Sequence, residues 1–212
     1  MSGITAGSRR DERPPGDAAL FFRRWLANPL QMGSVVPSSA SLCRRIAGLV
    51  ERAEDEIVLE LGAGTGVVSR ALLAAGVPPE RLAVVEIVPE MAEHLRMALP
   101  GVQVIAGDAF DLPRALPARW HGKVGTAICG IPLVMLPLER QRAFVGAVEA
   151  VAPGRGFLLY TYCITSPLPY RRLGLSARRM AWTPANFPPA SVWRYRPPQP
   201  QGGTSHGGGV PR

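Results

Sequence analysis

No run of about 18 apolar residues occurs in this chain of 212, so nothing in it reads as a helix crossing a bilayer. The N-terminus is polar and charged and lacks the apolar centre of a signal peptide. Cysteine is scarce: Cys43, Cys129 and Cys163 are odd in number, far apart and without metal-ligand spacing. They read as reduced, mostly buried thiols of a cytosolic protein, with no metal site. Acid is missing from one region altogether. Residues 150–212 hold 8 Arg and no Asp or Glu, whereas residues 1–149 hold 16 basic and 16 acidic residues. The whole net charge of +8 therefore sits in the last third. That asymmetry suggests an anionic partner, nucleic acid or a membrane surface; the plainer reading is a generic basic tail. No internal repeat is evident, and the length suits one α/β domain with a proper core.

What is present is organised around Ile57-Val58-Leu59-Glu60-Leu61-Gly62-Ala63-Gly64-Thr65-Gly66. An apolar run enters a carboxylate, three glycines alternate with small residues, and Val67, Val68, Ala71, Leu72 and Ala75 continue at helical spacing. This predicts a strand, a tight turn and a helix start, where a parallel sheet receives a nucleotide-like ligand. Glycine is wanted because the chain must turn with positive φ and because a Cβ would collide with the ligand. The spacing is G-x-G-x-G with Glu60 two residues ahead, not the G-x-G-x-x-G of a dinucleotide loop.

Before this motif, residues 1–16 read as a disordered N-terminus ending in Pro14-Pro15-Gly16. Asp17 is placed to cap a helix over 18–27, with Ala18, Phe21, Phe22, Trp25 and Leu26 on one side and Arg23 and Arg24 on the other. Such a helix lies on a lipid surface or packs across the sheet as a lid; the two are compatible. Pro29 and Pro37 bound a structured loop, after which Ser38 or Ser39 caps a helix bearing Leu42, Ile46, Leu49 and Val50.

Beyond the motif, strands are expected at 82–87, 102–106, 124–129 and 157–163, with helices starting at Pro89 and running from Leu138 to Val151. Glu86 ends the second strand 20 residues past Gly66, where its two oxygens suit the two hydroxyls of a ribose. His94, on the following helix, reads as a packed or surface residue. Asp108, or alternatively Asp111, follows the third strand. Gly130-Ile131-Pro132-Leu133 follows the fourth, at the point where the strand order should reverse. The last part of the segment from Ser166 to Tyr195 reads as a closing antiparallel hairpin with a Pro-rich turn, and 197–212 as a disordered tail.

The glycine motif resembles the first motif of the class I S-adenosylmethionine (SAM) methyltransferases. The fold implied is a Rossmann-like α/β sheet, mostly parallel with a C-terminal antiparallel hairpin, helices on both faces and an N-terminal amphipathic helix. It forms a single domain over 17–196. SAM carries a sulfonium and an ammonium and no phosphate, so an acid beside the loop suits it. Phe22-x-x-Trp25 with Gly33-Ser34-Val35-Val36-Pro37-Ser38-Ser39, Gly130-x-Pro132-Leu133, and Asn186-x-Pro188-Pro189-Ala190-x-Val192-Trp193 are similar to the soluble-type bacterial phospholipid N-methyltransferases. Those enzymes convert phosphatidylethanolamine toward phosphatidylcholine. The N-terminal loop also resembles, more faintly, that of the rRNA adenine dimethylases. Enzymes that methylate a base nitrogen, however, resemble Asn-Leu-Pro-Tyr/Phe after strand four. Gly130 and Leu133 supply neither that amide nor that aromatic ring.

The resemblance implies SAM binding by Gly33, Ser34, Glu60, Gly62, Gly64, Gly66, Glu86, Ile87, Asp108, Ala109 and Gly130. It places Glu86 on the ribose, Asp108 on the adenine amine, and Ala109 or Phe110 along the base. Tyr160, Tyr162 and Tyr170 are the candidates for orienting an amine, since an aromatic face also favours a cation; core packing is the alternative for each. Phe22, Arg23, Arg24, Trp25, Pro132, Arg171, Arg172, Arg178 and Arg179 are the candidates for lipid and membrane contact. The expected partners are a phospholipid and an anionic membrane without nucleic acid, with the protein cytoplasmic and peripheral on the inner face of the membrane. A nucleic-acid methyltransferase and a non-catalytic SAM- or membrane-binding protein are the rival readings.

Overall fold

The computed structural model describes residues 39–163, 165–184, 186 and 188–198. The N-terminal helix, Gly33, Ser34 and both tails fall outside these residues. Ser39 caps α1 (Ala40–Ala47), its hydroxyl oxygen accepting from the Leu42 N–H at 3.2 Å. The helix buries Leu42, Cys43 and Ile46. Leu49 and Val50 lie just past it, because Gly48 closes the helix with its N–H on the Arg44 carbonyl.

The order then alternates strand and helix: β1 (Ile57–Leu61), α2 (Val67–Ala74), β2 (Leu82–Glu86), α3 (Pro89–Ala98), β3 (Gln103–Ala106), α4 (Leu112–Ala115), β4 (Val124–Cys129), α5 (Leu138–Val151) and β5 (Phe157–Thr161). The antiparallel pair β6 (Ser176–Thr183) and β7 (Ala190–Arg196) completes the chain. Pro89 sits at the first turn of α3, where its missing N–H has no helical partner to lose. Three strands are shorter than the sequence suggests, β2 by its last residue, Ile87. Val102 remains in the turn before β3, its N–H on the Leu99 carbonyl. At the end of β5 the Thr161 hydroxyl accepts from the Cys163 N–H at 3.2 Å and draws the chain out of the ladder.

The seven strands run β3-β2-β1-β4-β5-β7-β6, all parallel except β7. Chain order reverses between β1 and β4, which makes the gap between their carboxyl ends the expected ligand crevice. β1, β2 and β4 are buried along their whole length, as parallel strands covered on both faces must be. On one face α1, α2 and α3 pack over Val58, Val84, Ile128, Leu158 and Val192. On the other, Phe144 of α5 meets Phe110 and Phe157 edge-on at 5.7 and 5.2 Å, and Phe157 stacks on Tyr195 at 5.3 Å. No helix among the described residues is long and apolar enough to cross a membrane.

The hairpin does more than close the sheet. Asn186, in the β6–β7 turn and 1% exposed, accepts the Ser39 N–H at 3.1 Å and donates to the Pro188 carbonyl at 2.8 Å. It ties the turn to the start of α1 across 147 residues of sequence. Asn186→Ala leaves both groups unpaired, so a stability loss of about 2 kcal/mol is expected. Thermal melting should drop by about 4–8 °C.

Candidate functional site

The glycine loop turns as the motif requires: Gly62, Gly64 and Gly66 have φ of 75°, 55° and 76°. A Cβ on Gly64 would meet nothing within 4 Å, whereas one on Gly66 would lie 2.7 Å from the Leu95 side chain. Gly64 thus leaves the loop open to a ligand, and Gly66 lets α2 approach α3.

Two carboxylates underlie this loop. Glu86 is fully buried at the end of β2; its Oε2 accepts from the Gly64 N–H at 3.2 Å and its Oε1 from the Val88 N–H at 3.1 Å. Burial pushes its pKa up, and the N–H groups of Val88, Gly64 and Ile87 oppose the shift. Glu86 therefore braces the loop, while each oxygen keeps a second lone pair. Glu60, 1% exposed on β1, accepts from the Ser69 hydroxyl of α2 at 2.5 Å. Its other oxygen, Oε1, is buried with no partner among the described residues. Burial pushes the Glu60 pKa up to about 7, with the Ser69 bond opposing and the Glu86 charge adding. The sequence did not single out Ser69. The available signal was a polar residue one turn into an otherwise apolar helix face.

After β3, the half-buried Asp108 folds back to accept the Phe110 N–H at 2.9 Å, and Asp111 is exposed at the start of α4. Ala109 is buried. Phe110 turns away toward Phe144, with the Arg140 guanidinium 4.1 Å over its ring. Of the two neighbours considered for the base, Phe110 is engaged elsewhere.

The fourth strand's loop meets the first strand's loop closely. A Cβ on Gly130 would lie 2.4 Å from the Gly62 carbonyl oxygen and 2.6 Å from the Tyr160 hydroxyl. Tyr160 thus reaches from β5 over β4 and puts its oxygen at the gap between β1 and β4. Ile131 and Leu133 turn inward, while Gly130 and Pro132 stay half-exposed at the rim. Burial first, and then the Glu60 charge, raise the Tyr160 pKa well above its ordinary value, so the hydroxyl keeps its proton. Tyr162 packs with Tyr160 against the α1–α3 side. Tyr170 does not join them: it sits in the turn Tyr170–Leu173, which packs on α5 and β6, with the Arg171 guanidinium 5.9 Å from its ring.

Arg155 pairs with Glu56, and Arg194 and Arg196 both pair with Glu51. Arg171, Arg172, Arg178 and Arg179 are exposed, the latter two on the edge strand β6. A charged edge also discourages strand pairing with other chains. Cys43 and Cys129 are buried and Cys163 is exposed.

Residues 58–154 match a family described as a methyltransferase domain. The chain is 28% identical over 189 residues to an ornithine lipid N-methyltransferase of Singulisphaera acidiphila, covering 85% of this chain and 96% of that protein. It is 39% identical over 102 residues to ribosomal RNA small subunit methyltransferase A of Erythrobacter litoralis, 42% of this chain and 35% of that one. The crystal structure of the Burkholderia thailandensis 1,6-didemethyltoxoflavin-N1-methyltransferase, with bound 1,6-didemethyltoxoflavin and S-adenosylhomocysteine, covers 90% of this chain and 93% of its own. Its TM-score is 0.57 at 15% identity, a likeness of fold.

Proposed function

Because the chain belongs to the class I SAM-dependent methyltransferases, we propose that it moves the methyl group of SAM to the free amine of a membrane lipid. The residues fit that donor. The loop is open at Gly64, and the buried carboxylates Glu60 and Glu86 beside it suit a cation-bearing cofactor better than a phosphate. SAM supplies a methyl already activated on positive sulfur, so the protein's task is to orient the acceptor, exclude water and remove a proton. We assign the SAM contacts to the glycine loop, Glu60, Glu86, Ile87, Asp108, Ala109 and Gly130.

The observation that carries the acceptor class is Tyr160 at Gly130. Base-methylating enzymes place an amide after strand four, and here a hydroxyl fills the space that any side chain would need. The match to the lipid methyltransferase spans nearly all of that protein, whereas the match to the rRNA enzyme spans about a third of it. Phosphatidylethanolamine, carried toward phosphatidylcholine, is the specific substrate proposed. An ornithine lipid is the second reading, favoured by the 28% identical relative.

Arg171, Arg172, Arg178 and Arg179, joined by the helix that the sequence predicts over 18–27, would hold the protein on the inner face of the membrane. Each basic residue near an anionic surface contributes about 1 kcal/mol. Sedimentation with anionic vesicles should therefore exceed that with neutral ones by at least about tenfold, and fall with salt. Removing residues 1–27 should lower activity on vesicles more than it lowers SAM affinity. Mass spectrometry of lipids from cells expressing the chain tests the reaction. Methylated phosphatidylethanolamine is the expected product, methylated ornithine lipid selects the second reading, and unchanged lipids with methylated RNA overturn both.

A further inference from the structure

We propose that the crevice rim on its acceptor side, tipped by Val134, Met135 and Trp182, inserts into the boundary between headgroups and acyl chains of an anionic bilayer. The lipid amine then enters the crevice without leaving the membrane. The inference rests on the amine-lipid reading above and adds the surface through which that substrate arrives.

Strand order divides the carboxyl end of the sheet into two halves. The contacts assigned to SAM come from β1, β2, β3 and the segments after them, with Gly130 alone from beyond the crevice. The acceptor is left the half formed by β4, β5, β7 and β6. β6 runs parallel to β4 and β5, so its last residues, Trp182 and Thr183, reach the same end of the sheet as the crevice. Trp182 therefore lies on this rim three strands from β4, about 14 Å along the sheet.

The chemistry of the rim is one-sided. Residues 130–137, 162–170 and 184–189, which follow β4, β5 and β6, hold no charged residue in a chain that is 19% charged. The segments after β2 and β3, by contrast, carry Glu90, Asp108 and Asp111. Four large hydrophobic side chains are exposed among the described residues, and Val134, Met135 and Trp182 are three of them. The turn Leu133–Met135, between β4 and α5, is anchored by the buried Leu133 and leaves its next two side chains outward. The fourth, Met97, is near the end of α3 that leads to the start of β3, at the opposite end of the sheet.

A bilayer interface suits this rim better than water does. Trp favours that depth, where its ring is among apolar groups and its N–H meets headgroups. Arg178 and Arg179 are exposed on β6 three and four residues before Trp182, about 10 Å back from the tip. An interfacial element sinks about 5–10 Å, so with Trp182 at the acyl boundary the two guanidinium groups come level with the lipid phosphates. No acidic residue follows Glu149 to repel an anionic surface.

The test uses the full chain on vesicles of phosphatidylethanolamine and phosphatidylglycerol, and on short-chain phosphatidylethanolamine dispersed as monomers. Trp182→Ala and the double variant Val134→Asp, Met135→Asp should each lose at least about tenfold in activity on vesicles, and sediment with them less. Activity on the dispersed lipid and SAM affinity should stay as in wild type, since none of the three side chains holds a reacting group. Vesicles with brominated acyl chains should quench the fluorescence of wild type more than that of Trp182→Phe. Equal quenching, or unchanged vesicle activity in the double variant, would overturn the proposal. So would a loss of equal size on vesicles and dispersed lipid, which would put these side chains in the acceptor site itself. A lower molecular mass of the variants in light scattering would give the rim to a second copy of the chain, and likewise overturn it. Wild type that binds vesicles and is quenched, yet methylates neither form of the lipid, would overturn the amine-lipid reading and leave the surface standing.

Discussion

Replacing Gly130 with Asn is expected to reduce kcat/KM by at least about a hundredfold, although it would install the amide that base-methylating enzymes use. The new Cβ would stand 2.4 Å from the Gly62 carbonyl oxygen and 2.6 Å from the Tyr160 hydroxyl. The second neighbour ends a side chain and can move. The first is backbone of the cofactor loop, fixed by the Gly62 N–H on the Val85 carbonyl at 2.9 Å. The Gly130 N–H is likewise held by the Leu61 carbonyl at 2.8 Å, so the two loops cannot part without disturbing both strands. Displacing reacting groups by about 1 Å costs on the order of a hundredfold in rate. Gly130→Ala should behave almost as badly, and pairing it with Tyr160→Phe should recover little, because the Gly62 contact persists. A Gly130→Asn variant with the wild-type rate would place the reaction elsewhere.

That contact also shows where sequence reading stops. The run Ile57–Leu61, the alternating glycines and the 20-residue step to Glu86 are local patterns, and the structure forms β1, the turn and β2 from them. Glycine at 130 was legible as the lack of an amide. That it leaves room for a hydroxyl from β5 was not, because 30 residues separate Gly130 from Tyr160 and only strand order brings them together. Glu60 read as an acid beside the loop, and its partner Ser69 depends on how α2 lies back over β1. Phe110 is a similar case. Its position after β3 pointed to the base, and the aromatic row on the other face draws it away. The three tyrosines share one stretch of sequence, but the chain leaves β5 after Thr161 and carries Tyr170 to a turn packed on α5.

Glu86→Ala is expected to weaken SAM binding by about a hundredfold or more. Two effects combine in that figure. The carboxylate holds the N–H groups of Gly64 and Val88, so its removal loosens the glycine loop. In the assigned role it also accepts both ribose hydroxyls, each a charge-assisted bond of about 1.5–3 kcal/mol. The contributions separate in a cycle with a cofactor analogue lacking one ribose hydroxyl. Wild type should lose affinity for the analogue by about tenfold or more. Glu86→Ala should bind SAM and the analogue equally, since the group that tells them apart is gone. Glu86→Gln, which keeps one oxygen to accept an N–H but sets its NH2 against the other N–H, should fold less stably than wild type and bind SAM at an intermediate affinity. If Glu86→Ala weakened SAM and analogue by the same factor while still telling them apart as wild type does, Glu86 would be a brace for the loop alone. The ribose would then be held by another group.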